Sequence, residues 1–151
     1  MKIERITTGK KRYIDLLLLA DEQELMVDRY LERGELFVMS ADNGDPLCVA
    51  VVTDEGSGCC ELKNLAVAPL RQRSGLGRAM IGFLCRYFGC RFAFMQVGTG
   101  DAPRTVAFYK ACGFVYSHSV PDFFTLHYDH PIVEEGRILR DMLYFRRRIA
   151  R

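Results

Sequence analysis

Seven residues decide the fold prediction: Gln72-Arg73-Ser74-Gly75-Leu76-Gly77-Arg78. They follow an apolar, strand-like run that is closed by Pro69, and they precede an amphipathic helical pattern. The two glycines lack Cβ atoms, so a ligand can approach the backbone closely. A helix N-terminus supplies unpaired N–H groups and the positive end of the helix dipole, and the neighbouring arginines add positive charge. The stretch therefore predicts a loop that binds a pyrophosphate.

The segments on either side of this loop predict a strand and a core-facing helix. The strand is expected over residues 59–67, and the helix is expected to end near Gly89. Apolar residues recur in the helix at steps of three and four, which is typical of a helix that packs on a core. This predicted stripe consists of Leu76, Ala79, Met80, Phe83, Leu84, Tyr87 and Phe88.

Two other glycine motifs do not fit. A dinucleotide-binding fingerprint requires a small residue where Met80 stands, and a P-loop requires a Gly-Lys-Ser/Thr sequence, which is absent. The pattern Gln/Arg-x-x-Gly-x-Gly/Ala after Leu65-Ala66-Val67 instead resembles the acetyl-CoA loop of the GCN5-related N-acetyltransferase (GNAT) superfamily. A second segment, Phe108-Tyr109-x-x-x-Gly113-Phe114, resembles the late helix of that family. The two motifs occur in the family's order and at about its spacing.

The remaining sequence predicts one α/β (α+β) domain over residues 1–151. Three strands, 36–40, 47–53 and 59–67, are expected to form an antiparallel meander, and the GNAT resemblance implies a mixed, mostly antiparallel central sheet flanked by helices. Ile14, Leu17, Leu18, Leu25 and Tyr30 are predicted core residues. The other predicted strands cover 2–7, 91–97, 114–119, 123–127 and 138–145; the other predicted helices cover 10–20 and 21–32, and a last one begins at Pro103 and ends at Gly113.

Composition and charge exclude several classes of function. A net charge of +2 and the lack of a recognition motif argue against a nucleic-acid partner, and no apolar run is long enough to cross a membrane. The six cysteines have no C-x-x-C spacing, so we expect free thiols in a reducing cytoplasm. His127, Asp129 and His130 do not have the spacing of a standard metal site, and no metal is predicted.

The resemblance assigns the cosubstrate acetyl-CoA to specific residues of this chain. Backbone groups of Leu65, Ala66 and Val67 are expected to bind the pantetheine arm and to stabilise the oxyanion, because preorganised N–H groups are effective there. The pyrophosphate is expected on Gln72, Arg73, Ser74, Gly75, Leu76, Gly77 and Arg78. Many family members carry an asparagine before the late helix, whereas this chain has Gly98–Pro103, where Thr99 or Asp101 could substitute.

Two side chains are candidates for proton transfer. Glu61 occupies the position at which some GNAT enzymes carry a general base; the alternative is an exposed strand carboxylate paired with Lys63 or an arginine, with water taking the proton. Tyr109 lies where the family places a tyrosine hydroxyl near the sulfur of CoA, as the acid for the departing thiolate and as part of the CoA site. Its alternative role is core packing.

The sequence thus predicts an acetyl-CoA-dependent N-acetyltransferase that acts on a primary amine of a small molecule. The alternatives are a protein lysine or N-terminal acetyltransferase, and a non-catalytic acyl-CoA-binding module. The tail from Phe124 to Met142 resembles a bacterial GNAT subgroup of largely unassigned acceptors and is expected to recognise the acceptor. An exposed strand edge could also pair two copies into a homodimer.

Overall fold

A central seven-stranded sheet organises the chain in a computed structural model that describes residues 1–151. The strand order is β1-β2-β3-β4-β5-β9-β6, and only β4 and β5 pair in parallel. The strands are β1 Lys2–Ile6, β2 Glu35–Ser40, β3 Pro46–Asp54, β4 Cys59–Val67, β5 Phe94–Thr99, β6 Val115–Val120 and β9 Met142–Arg148, with β7 Val133–Glu134 and β8 Arg137–Ile138 as a separate hairpin. The helices are α1 Ile14–Ala20, α2 Glu24–Asp28, α3 Leu76–Phe88, α4 Pro103–Ala111 and α5 Phe123–His127. The predicted α/β class with a mixed, mostly antiparallel sheet is confirmed.

Each face of the sheet buries its own hydrophobic cluster. Alternation along β2 sends Phe37 toward α3 and sends Leu36 toward the α1–α2 side. The larger cluster contains Met80, Leu84 and Phe88 from the stripe of α3, and the smaller one contains Leu17 of α1. The sheet is therefore covered on both sides along its centre, which contains the candidate site residues of β4.

Strand β4 contains a bulge that changes which side chains share a face. Val52 pairs with Leu62 and Val51 pairs with Asn64, so Lys63 has no counterpart in β3. Leu62 and Leu65 consequently lie on the α3 face, and Asn64 lies on the opposite face, where its side chain bonds to α1. Strict alternation from Val67 would place Glu61 on the α3 face with Leu65. Because of the bulge, Glu61 lies instead on the opposite face, with Asn64.

Four expectations require correction. Residues 123–127 form helix α5 instead of a strand, because only one side of the segment packs inward: Phe124 is buried, Leu126 is exposed, and Phe123 contacts His127 one turn away. Strand β5 begins at Phe94, since the N–H groups of residues 91 and 92 bond to the carbonyl of Phe88 and close the end of α3. Leu25 is 71% exposed, because the neighbouring Met26 and Val27 take the inward positions of α2. In the stripe of α3, Ala79 and Tyr87 lie at the exposed margins.

Candidate active site

The central sheet opens between its two parallel strands. β4 and β5 pair only from Cys59–Phe94 to Leu62–Val97, although β4 continues to Val67 and β5 to Thr99. A cavity of about 490 Å³ lies at this opening and is lined by residues of both strands, of α4 and of the segment that follows α5. The opening creates free strand edges inside the sheet.

Backbone N–H groups of β4 face this opening. Ala68 donates to Leu47 of the preceding strand at 2.8 Å, and the antiparallel register places Ala66 in the equivalent hydrogen-bonded position opposite Val49. Because successive residues of a strand alternate between its two edges, Leu65 and Val67 direct their N–H groups toward the gap. Of the three residues predicted to offer backbone groups, Leu65 and Val67 therefore have N–H groups available to an extended arm, while the backbone of Ala66 pairs with β3.

The predicted pyrophosphate loop is open to solvent at the end of this gap. Gly75 has φ +85°, and a Cβ added there would meet no atom within 4 Å, so the space above its backbone is available to a ligand. The amide of Gln72 closes the loop against β4 by donating to the Val67 carbonyl at 3.2 Å, and the Ser74 hydroxyl bonds to the Arg71 carbonyl. Residues 71–75 are exposed, and α3 begins immediately afterwards at Leu76.

Gly77 has a different role from Gly75. It is buried in the first turn of α3, and an added Cβ would lie 3.2 Å from Cζ of Phe108 and 3.7 Å from Cγ2 of Val67. Gly77 therefore allows α3 to pack closely against α4 and β4. A larger residue at position 77 would disturb this packing as well as any bound phosphate, whereas one at position 75 would meet only the ligand.

Tyr109 reaches the cavity from α4. It is 8% exposed, packs edge-on against Phe108 and Phe114, and lines the same cavity as Leu65 and Val67. Its hydroxyl has no hydrogen-bond partner within the chain. Burial raises the pKa of Tyr109, so the hydroxyl stays protonated at neutral pH and can act as a donor. The tyrosine thus has both properties named in the sequence prediction: an apolar packing surface and an available O–H group.

Glu61 is buried, contrary to the alternative of an exposed strand carboxylate. It is 5% exposed; its Oε1 accepts from Gln96 Nε2 at 2.6 Å, and its Oε2 pairs with Lys63 Nζ at 2.8 Å. It lines a smaller space of about 220 Å³ that shares walls with the main cavity, including Lys63 and Tyr128. The ion pair with Lys63 that the alternative proposed is present, but in a buried setting.

Comparison with known proteins identifies the family. The model of the acetyltransferase (GNAT) domain matches residues 32–116. Over 146 residues, 95% of this chain and 93% of the relative, the sequence is 36% identical to the uncharacterised N-acetyltransferase YvbK of Bacillus subtilis. The chain belongs to the GNAT family of acetyltransferases.

Solved structures agree with this assignment. A GNAT acetyltransferase from Elizabethkingia anophelis with acetyl-CoA bound has a TM-score of 0.92 and 28% identity, and each chain covers 97% of the other. An acetyltransferase from Bacillus subtilis in complex with CoA has a TM-score of 0.87 and 31% identity, with the same coverage. Acetyl-CoA is the cosubstrate of this GNAT enzyme, and the open edge of β4 together with the exposed loop at Gly75 is compatible with it.

The opposite end of the cavity contains a polar network that the sequence did not predict. The hydroxyls of Tyr30 and Tyr128 donate to the two oxygens of Asp21 at 3.0 and 2.6 Å. The amide of Asn64 donates to the Tyr30 hydroxyl at 3.1 Å and to the Leu17 carbonyl at 2.9 Å. Burial raises the pKa of Asp21, and the two tyrosine hydroxyls lower it again in part. This Asp21 network joins α1, the turn after α2, β4 and the segment after α5.

Sequence patterns indicate this end of the cavity only weakly, because the residues that form it lie far apart in the chain. Asp21 stands in an acidic run that matches no motif, and Tyr128 and Glu134 lie in the tail that is expected to recognise the acceptor. Glu134 lines the cavity, and burial raises its pKa. Of the two proposed replacements for the family asparagine, Thr99 lines the cavity, while Asp101 is exposed and lies 3.7 Å from Arg137.

Neither a metal site nor a membrane span is evident. No group of three or more histidine, cysteine or acidic side chains could hold a metal ion, and all six cysteines are free thiols. None of the helices combines the length and apolar character needed to cross a bilayer.

Proposed function

We propose that this enzyme transfers the acetyl group of acetyl-CoA to a primary amine of a small molecule. The observation that carries the proposal is the cavity of about 490 Å³, which is within the range of small-molecule sites. It brings Tyr109 and the free edge of β4 into one space with α5 and the segment after it, from which Phe124, Tyr128 and Ile132 contribute apolar walls. A protein acetyltransferase would require an open groove for a peptide.

The reaction requires that the acceptor nitrogen lose a proton before it attacks. The neutral nitrogen then forms a C–N bond to the acetyl carbon as the C–S bond breaks. We propose that Tyr109 gives its proton to the departing sulfur and receives the proton that the acylated nitrogen releases. The return of a proton to Tyr109 matters because burial raises its pKa. The hydroxyl is therefore a poor acid unless it regains a proton in the same step.

Removal of the first proton is assigned to Glu61. Lys63 and Gln96 occupy its two oxygens, and it lines the adjoining space, so we propose that it acts through a water molecule. We also place the enzyme in the cytoplasm, since five of its six free cysteines are buried as thiols, a state that a reducing compartment maintains.

Thiol release from acetyl-CoA in the presence of amines, polyamines and peptides tests the proposed function. We expect turnover with small primary amines and little with lysine-containing peptides or protein N-termini. Faster turnover with peptides would replace the proposal by protein acetylation. Tight acetyl-CoA binding without turnover on any acceptor would favour the non-catalytic module.

Tyr109→Phe tests the assigned acid. The variant removes one hydroxyl from a packed ring, so acetyl-CoA affinity should be nearly unchanged while kcat falls about 100-fold. An acetyl donor whose thiol has a lower pKa should recover part of the loss, because that thiolate needs less help from a proton. Phe108→Leu is a packing control without a hydroxyl. A small loss with the wild-type dependence on leaving-group pKa would leave Tyr109 with core packing alone.

A further inference from the structure

The walls of the cavity carry an excess of negative charge. Four carboxylates line it, those of Asp21, Glu22, Glu134 and Glu135, and the only basic side chain among its walls is Lys63. The ammonium group of Lys63 is already paired with Glu61 at 2.8 Å. The cavity therefore lacks a cation of its own to balance these carboxylates.

Glu134 is the carboxylate with nothing to balance it. Glu135 accepts the backbone N–H of Arg104 at 3.0 and 3.2 Å, and Glu22 lies 3.6 Å from His130 at the exposed rim. Glu134 is half-buried, and its carboxylate makes no hydrogen bond or ion pair within the chain. Burial, together with the nearby charges of Glu22 and Glu135, raises its pKa. A partly buried carboxylate without a partner costs stability that a bound cation would recover.

A second, independent feature of the same cavity also calls for a hydrogen-bond donor. Asn64 is 3% exposed and is among the residues that line the cavity, and its Oδ1 is the one buried side-chain polar atom without a partner. The orientation of its amide is fixed, because Nδ2 must face the Leu17 carbonyl. An unpaired buried acceptor is costly, and a small shift of this wall that exposed Oδ1 to an N–H group of a ligand would relieve the cost.

We propose that Glu134 holds an ammonium group of the acceptor at the end away from the reacting amine, and that Asp21 and Glu22 select against acceptors carrying a carboxylate there. The proposal rests on the proposed function and adds to it the charge of the substrate. The preferred acceptors are alkyl amines and diamines, and amino acids are disfavoured by repulsion across the cavity. Glu134 acts in binding, so its loss should appear mainly in KM.

Three acceptors of matched length test the selection: 1,5-diaminopentane, pentylamine and 6-aminohexanoate share the reacting amine and differ in the charge at the far end. We expect kcat/KM to fall in that order, by about 10-fold or more from first to last at low ionic strength. The differences should shrink as salt is added, because exposed charges are screened. Equal or better turnover of 6-aminohexanoate would overturn the proposal.

Glu134→Gln tests the residue. It removes a charge and keeps the size of the side chain, so we expect KM for 1,5-diaminopentane to rise about 10-fold with a smaller change in kcat. Glu4→Gln, on the exposed strand β1, makes the same change in net charge outside the cavity and should leave KM unchanged. A wild-type KM in the Glu134 variant would contradict the assignment.

Binding measurements separate this proposal from the proposed function. Calorimetric titration of 1,5-diaminopentane into the enzyme saturated with CoA should show binding that Glu134→Gln weakens, whether or not turnover occurs. If amines are acetylated at rates that do not depend on the charge at their far end, the proposed charge selection is wrong and the proposed function stands. If no amine is acetylated but the diamine binds through Glu134, the proposed function fails and the cation site stands.

Discussion

The two ends of the cavity, the proposed acetyl-CoA end (the donor end) and the proposed acceptor end, are built in opposite ways. The donor end is a continuous stretch, residues 65–78, which offers backbone groups and exposed arginines and has few side-chain contacts of its own. The acceptor end is assembled from residues of several distant parts of the chain: Asp21, Tyr30, Asn64, Tyr128 and Glu134. All of them except Glu134 are joined by side-chain hydrogen bonds.

This difference determines which mutations are informative at each end. At the donor end the protein contacts are sparse, so a substitution can remove ligand binding while the fold persists. At the acceptor end Asp21, Tyr30, Asn64 and Tyr128 support one another, so a substitution changes stability and substrate recognition together. Glu134 differs from these four residues, because its carboxylate has no hydrogen-bond or ion-pair partner within the chain. A substitution there should change recognition with little change in stability.

The largest effect is expected for Gly75→Val at the donor end. The branched side chain would occupy the open space above the loop, and acetyl-CoA affinity should fall at least about 100-fold, or about 2.8 kcal/mol, by isothermal calorimetry. The left-handed backbone of Gly75 adds a strain of about 1–2 kcal/mol.

Gly56→Val is the matched control for Gly75→Val, since Gly56 has φ +84° and also has no atom within 4 Å of an added Cβ. Both variants should lose similar stability, and only the one at position 75 should lose acetyl-CoA. Equal affinities in the two variants would remove the loop from the binding site. Gly77→Val is less informative, because its side chain would also press on Phe108.

A smaller effect, mainly on stability, is expected for Tyr128→Phe at the acceptor end. The variant loses a 2.6 Å hydrogen bond to the carboxylate of Asp21, and the free energy of unfolding should fall by about 2 kcal/mol in urea denaturation at neutral pH. Tyr116→Phe, whose hydroxyl bonds to Ser119 on the surface, is the control and should change little. An equal loss in both variants would mean that the Asp21 network does not stabilise this end.

The pH dependence of the Tyr128→Phe effect follows from Asp21. Burial raises the pKa of Asp21 above its value in the unfolded chain, and the Tyr128 hydroxyl favours the ionised form. The stabilisation from this hydrogen bond is thus greatest where Asp21 is ionised and is lost as the pH falls through the folded-state pKa. The difference between variant and wild type should shrink toward acidic pH, and a difference that grows there would contradict this account.

The smallest effect is expected for Glu61→Gln, which lies between the two ends. Turnover should fall about 10-fold at about pH 6, where most of the acceptor is protonated, and should approach the wild-type rate where the amine is already neutral. Glu4→Gln is the control, because Glu4 lies on the exposed strand β1 and pairs with Lys2 outside both spaces. An unchanged pH–rate profile would assign proton removal to water and leave Glu61 as the structural partner of Lys63.

The same contrast explains how much could be predicted from the sequence. The position of the loop at Gly75 between a strand and a helix, and the helix cap at Gly113 with φ +90°, depend on neighbouring residues, and these structural predictions are confirmed. Pyrophosphate binding by the loop stays a prediction. The resemblance of two local motifs was enough to predict the family and acetyl-CoA. The Asp21 network depends on contacts between residues up to 107 positions apart, for which one sequence contains no signal.

The bulge at Lys63 and helix α5 illustrate the other limit. Nothing in the residues of β4 marks an extra position, because it is defined only by pairing with β3. The aromatic residues of 123–127 favour a strand in isolation, and the requirement to bury Phe124 against Ile132 and Leu139 outweighs that preference.

The free edges between β4 and β5 also bear on self-association. An unpaired strand edge at the border of a sheet invites a second protein chain to pair with it. Here the two edges face each other in the middle of the sheet, and the strands rejoin at Leu62 and Val97. A second polypeptide would need both faces of the sheet to be clear, whereas a single thin, extended molecule can enter from the open end. The enzyme can therefore keep a strand unpaired for its cosubstrate without offering that strand as a site of aggregation.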